Sequence, residues 1–224
     1  MFRPVEADIP LSAQSVADIE EKALAKWLFT SPLVPRTVLE VLGFDAQCRV
    51  ALEVNSSSFL GQRSLPGDID VLVKHALRPN VTTAIEFKRV KIPARAFLTG
   101  LPNKIRDLEH GVHQANALRS LGFARVILLV AIVTDGRERS HVNWAYRGPT
   151  SGHLRRIRNF PGRDRLDSGV GLGFLEITQP ADKPIEAAGS IGVYFQIEPA
   201  LHAQNSRISQ AVNIWFSSPN AASN

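Results

Sequence analysis

The chain has one cysteine, Cys48, and one methionine in 224 residues. A single thiol cannot close an internal disulfide, so no disulfide framework supports the fold, and a reducing, cytoplasmic setting is expected. Long hydrophobic runs are missing too. The longest, VILLVAIV at 126–133, is far shorter than the roughly 20 apolar residues of a membrane-spanning helix. The opening MFRPVEADIP has no apolar core of the secretory kind, so the reading is of a soluble protein. Phosphate loops of the Walker type are absent, because GVGLGF at 169–174 has neither the lysine nor the strand-turn-helix setting. There is no serine nucleophile turn and no zinc-type cysteine and histidine spacing. His110 and His113, three apart, are accordingly read as surface or substrate-facing groups. These absences turn attention from nucleotide-driven chemistry to metal-assisted hydrolysis by hard oxygen ligands.

What is present is an ordinary globular composition, 44% hydrophobic and 21% charged, enough for a full core and one domain. The formal charge is +5 with a pI near 9.7, which points to an anionic partner. Its distribution is uneven. Eight arginines (137, 139, 147, 155, 156, 158, 163 and 165) stand against Glu138 and Asp164, so this stretch carries +6 and the remainder −1. Arginine's planar fork grips phosphate oxygens, and Arg155, Arg156 and Arg158 are candidate nucleic-acid contacts. A merely solvated loop is the alternative.

Ser15 to Asp18 has the form of a capping box, and Val16, Ile19, Ala23, Leu24, Trp27 and Leu28 follow at helical spacing up to Pro32. A second helix is expected over 35–42, with Gly43 as its cap. Strands are expected at 47–54, 69–75 and 82–90, forming a three-stranded meander. A helix over 103–121, closed by Gly122, leads to a strand RVILLVAIV that is apolar on both faces and so interior to a doubly covered sheet. Beyond Asp135, two strands are expected at 169–178 and 190–199, while SRISQAVNIWF suits either a helix or a strand. The class is mixed α/β with one central sheet flanked by helices.

Three carboxylates and a lysine interrupt the most strand-like segments: Asp68 and Asp70 in PGDIDVLV, and Glu86 and Lys88 in TTAIEFKRV. Residues two apart in a strand share a face, so a hairpin can aim them at one point. Burying unpaired carboxylates costs several kcal/mol, roughly, unless a cation compensates. Carboxylates suit Mg2+ or Mn2+, and Mg2+ takes only one or two of them, which fits Asp70 and Glu86. Lys88 beside such a cation can orient an attacking water or stabilise charge in a transition state. Arg89, Lys91 and Lys104 lie near enough in sequence to meet phosphates. The bland alternative is a salt-bridged Glu-x-Lys pair on an exposed strand.

Asp70 followed by Glu86-Phe87-Lys88 in the next strand resembles the PD-(D/E)xK nuclease superfamily, which includes restriction endonucleases and Holliday-junction resolvases. The resemblance covers residues 15–135, the expected nuclease core, with 136–216 as a C-terminal extension of the sheet. It implies a restriction-endonuclease-like fold, and Mg2+ or Mn2+ held by Asp70, Glu86 and the main-chain carbonyl of Phe87, with Asp68 as a second candidate ligand. It also implies an acidic residue on the first helix. Glu20, on the apolar side, is the choice, with Glu21 expected to point elsewhere and Glu40 and Glu53 as alternatives. A glutamine on the helix after the Glu-x-Lys strand is implied as well, and Gln114 holds that place. The implied activity is phosphodiester hydrolysis, in DNA before RNA, by a homodimer or within a larger complex. The alternative is a catalytically inactive binding module with the same fold.

Overall fold

Among the described residues, seven strands form one mixed sheet in the order β1-β7-β6-β5-β4-β3-β2. The computed structural model describes residues 5–7, 19–31, 36–55, 67–93, 96–100, 102, 104–135, 148–179 and 189–218. The strands are β1 Val5–Ala7, β2 Arg49–Val54, β3 Ile69–Lys74, β4 Thr82–Ile92, β5 Arg125–Asp135, β6 Gly171–Gln179 and β7 Gly189–Ile197. The helices are α1 Glu21–Thr30, α2 Arg36–Val41, α3 Ala96–Thr99, α4 Asp107–Leu121, α5 Ser151–Arg158 and α6 Ser206–Ser217.

The expected meander is there: β2 pairs antiparallel with β3, and β3 with β4. β5 then runs parallel to β4, and β6 parallel to β5. Both crossovers step in one direction, and α4 and α5 accordingly lie on the same sheet face, as a constant crossover hand requires. The C-terminal strands β6 and β7 continue the same sheet.

The two faces of β5 explain the layering. Val126, Leu128, Val130 and Ile132 join a core with Leu108, Val112, Ala115 and Leu118 of α4, Ile157 of α5, and Ile208, Val212 and Phe216 of α6. Ile127, Leu129, Ala131 and Val133 join Leu24, Leu28 and Phe29 of α1 and Val38 of α2. Each such side chain, fully buried, stabilises by about 1.5–3 kcal/mol. The strand is therefore covered on both sides, as its unbroken apolar run implies.

Two helix starts differ from the sequence reading. The capping box at 15–18 lies outside the described residues, and the described part of the first helix begins at Glu21. Lys104 adopts φ 68°, which delays α4 until Asp107, whereas Gly122 closes it at φ 93° as expected. The segment 206–217 is helical. Helix α5 was not foreseen. Its N-cap Thr150 accepts from the His153 N–H, while His153 accepts back from the Thr150 N–H. His153 also contacts the Ala96 carbonyl at 3.1 Å, joining α5 to α3.

Candidate active site

The β3–β4 pairing runs from Lys74↔Thr82 to Val71↔Ile85. Continued by one step, it sets Asp70 opposite Glu86, on one face. The β2–β3 register skips one step, between Leu52↔Val71 and Val54↔Ile69, and that step is Glu53 opposite Asp70. Three carboxylates thus form a row across three strands, an arrangement that is unfavourable without compensation. Glu53 itself stands at φ 49°, a left-handed conformation costing on the order of 1–3 kcal/mol for a non-glycine residue.

The hairpin ladder ends where this row begins. β4 continues, and side chains take over its main-chain donors. The Phe87 N–H donates to Asp70 Oδ2 at 2.8 Å, and the Arg89 N–H donates to Glu21 Oε2 at 2.7 Å. A strand residue directs its N–H and C=O to the same edge, so the Phe87 carbonyl shares the Asp70 edge. Lys88 lies two residues beyond Glu86 on the same face. Its ammonium is ion-paired with Glu86 Oε1 and stands 3.9 Å from Asp70 Oδ2.

Burial sets the electrostatics. Glu86 is 1% exposed, and its carboxyl is pushed up to about 8, first by burial and then by the Asp70 charge, against the pull of Lys88. Burial also raises Asp70, with Lys88 and the Phe87 N–H opposing. Burial pulls Lys88 down, but the Glu86 and Asp70 carboxylates outweigh it and the net shift is upward. The ammonium form is therefore the resting one.

The structure brings Asp70, Glu86, Phe87 and Lys88 together, and it sets Gln114 against Gly67, three residues before Asp70: a Cβ on Gly67 would lie 3.3 Å from Gln114 Nε2. Asp68 is exposed in the bend before β3. The helix phase reverses one expectation. Glu20 is the exposed N-cap of α1, without a side-chain cap bond, whereas Glu21 reaches the Arg89 N–H and its charge acts on both Asp70 and Lys88. Its spacing, four after Val16 and three before Ala23, placed Glu20 inward, but Ala23 is itself exposed. Glu53, an alternative only, is nearer the site than Glu20, for it pairs with Lys22 and its charge raises Asp70. Its backbone irregularity leaves no mark in sequence. Glu40 instead lines a cavity of about 310 Å3 between α1, α2 and β2, together with Phe29, Arg36 and Cys48.

The expected phosphate contacts divide. Arg89 is 6% exposed and, with Lys91, alternates onto the sheet face opposite Glu86 and Lys88. Arg158 is also committed: its Nε donates to the Tyr194 hydroxyl at 3.0 Å, and its guanidinium contacts Glu176 at 3.5 Å. Arg163 bonds Asp164 and Asn159, and Arg165 pairs with Glu109. Arg155 and Arg156 remain exposed on α5, and 137, 139 and 147 lie outside the described residues. Lys104 is exposed and pairs with Asp107. A Thr83–His75–Asp45 chain, with His75 Nε2 at 3.0 Å from Thr83 Oγ1 and Nδ1 at 3.6 Å from Asp45, has the form of a triad. Thr83 is fully buried, so no substrate reaches it.

Among the described residues, no group of three or more His, Cys, Asp or Glu side chains is arranged to hold a metal ion. Two carboxylates and a carbonyl form a smaller set, and its chemistry fits Mg2+ or Mn2+. Glu86 Oε1, buried and ion-paired with Lys88, accepts no hydrogen bond among the described residues. No helix among the described residues is long and apolar enough to cross a membrane. Comparisons with protein-family models, curated proteins and solved structures return no match.

Proposed function

We propose that this chain is a Mg2+- or Mn2+-dependent nuclease, hydrolysing phosphodiester bonds in DNA, with the restriction-endonuclease-like fold that the PD-(D/E)xK resemblance implies. The observation that carries the reading is the convergence of Asp70, Glu86 and Lys88 where β3 and β4 part. The order α1, β2, β3, β4, α4, β5, with Gln114 on α4, supports it further. Asp70, Glu86 and the Phe87 carbonyl would hold the cation, with Asp68 at the mouth. The cation, when bound, supplies Lewis acidity toward the phosphodiester and its attacking water. Lys88, an ammonium beside two carboxylates, orients that water and stabilises charge on the phosphate. Glu21 fixes the main chain of β4 next to Lys88, and Arg155 and Arg156 grip backbone phosphates without reading sequence. Cutting both strands calls for two such sites, hence a homodimer or a larger complex, and RNA is the alternative polymer.

The test is cleavage of plasmid and single-stranded DNA with Mg2+ by wild type, Asp70→Ala and Lys88→Ala. Each variant is expected to lose about a hundredfold or more, the scale of removing one preorganised charged group. Undiminished cleavage by both would sink the assignment.

One observation favours a second reading, a non-catalytic nucleic-acid- or protein-binding module. Lys88 already pairs with Glu86, and Asp70 already caps Phe87, so the row has an internal partner. Thermal melting with and without Mn2+ separates the two. A cation site raises the melting point through linkage, and a closed ion pair leaves it unmoved.

A further inference from the structure

Helix α4 crosses the sheet above Glu86 and Lys88, and the residue it sets over Lys88 is Gly111, buried in the middle of the helix. Its φ is not in the left-handed region, so the backbone has no need of glycine there. Glycine is a poor choice inside a helix, where alanine is the better former. Space accounts for it. A Cβ at 111 would lie 2.9 Å from Lys88 Cγ and 3.4 Å from Lys88 Cε, with Leu128 Cδ1 at 3.0 Å on its other side. The Cγ atom belongs to the root of the lysine stem, which cannot swing away as the tip can. Leu128 is the β5 residue opposite Glu86, so sideways escape along the sheet is closed as well.

We infer that Gly111 is a positioning residue for Lys88: the side chain missing from α4 leaves the passage along which the lysine stem runs beneath the helix to bring its ammonium to Glu86 and Asp70. The packing holds whatever Lys88 does, and the catalytic consequence rests on the nuclease reading. A methyl group at 111 pushes the stem away from the carboxylates. A 1 Å misplacement of a reacting group is enough to cost on the order of a hundredfold in rate.

The experiment is a double-mutant cycle with a kinetic arm. Gly111→Ala is made in the wild-type background and in Lys88→Ala, and melting points are read in EDTA. The expected result is coupling between the two positions: the substitution lowers the melting point with Lys88 present and lowers it clearly less once the stem is gone, since only the Leu128 contact then opposes the better helix former. An equal loss in both backgrounds overturns the inference. If Gly111→Ala fails to fold in the wild-type background but folds in Lys88→Ala, that is the same coupling; failure in both overturns it. In the kinetic arm, kcat of Gly111→Ala falls roughly tenfold to a hundredfold, while KM for DNA stays within about twofold. An unchanged kcat in a folded variant overturns the positioning role. If the wild-type protein does not cleave at all, the nuclease reading fails, and the cycle still decides whether Gly111 makes room for Lys88.

Discussion

Buried ionisable residues carry most of the information at the residue scale. Period two in the strands was enough to place Glu86 and Lys88 on one face, and the hairpin register then sets Asp70 on that same face. Glu53 was out of reach, since its place opposite Asp70 depends on the pairing of β2 with β3 and on its own positive φ. His75 is a second buried group, 3% exposed, on the hairpin between β3 and β4. Its pKa is held below the ordinary 6.5 by burial, and the Arg125 and Arg78 charges lower it further against the pull of Asp45. The unfolded chain therefore takes up a proton before the folded one does. The stability contributed by neutral His75 is present above pH 6.5 and is lost as pH falls through its folded value. Wild type is expected to lose more stability than His75→Gln between about pH 7 and pH 5, measured as denaturant midpoints at the two pH values. Equal losses would show that His75 is not the titrating group.

Helices were harder to phase than to find. The apolar stripe of the first helix was legible, yet spacing from Val16 and Ala23 turned Glu20 inward, while in the structure Glu20 is the exposed cap and Glu21 bonds the Arg89 N–H. Adjacent helical residues point about 100° apart, so a small error of phase exchanges them. Glu21→Ala should cost about 1–3 kcal/mol, because it leaves a main-chain donor of β4 without its acceptor, and cleavage should fall with it. Glu20→Ala should stay within about 0.5 kcal/mol and cleave as wild type. Denaturant midpoints with a cleavage assay decide this, and a larger loss in Glu20→Ala would restore the sequence reading. Helix α5 escaped notice for another reason. Only His153 and Ile157 are buried along it, too narrow a stripe to stand out among arginines.

The positive charge has a different meaning at the scale of the whole molecule. The +6 stretch read as one phosphate-binding patch, but folding spends several of its guanidinium groups on internal partners. Arg158 joins α5 to Glu176 and Tyr194, with its Cζ 4.9 Å from the tyrosine ring centre. Arg163 and Arg165 brace the turn after α5. Arg155 and Arg156 keep their charge in solvent. Replacing both by Ala should weaken DNA binding on every sequence alike and flatten its salt dependence by about 0.9 in log-log slope per lost phosphate contact. Titrations between about 50 and 200 mM salt measure this. An unchanged slope would remove these two residues from the interface. Arg158→Ala should instead lower the melting point, since it strips the buried Glu176 of a cation.

The sequence by itself determined the α/β class, the meander, the doubly covered β5 and the common face of Glu86 and Lys88. Each of these follows from local periodicity: two for strands, 3.6 for helices, and an unbroken apolar run where both faces are buried. Only the tertiary structure decided which acid of α1 meets β4, that Glu53 completes a row of carboxylates, that Arg89 and Lys91 turn to the far face, and that Gly111 lies over the Lys88 stem. These depend on register and helix phase between segments distant in the chain, which contacts across the core set and local spacing does not encode.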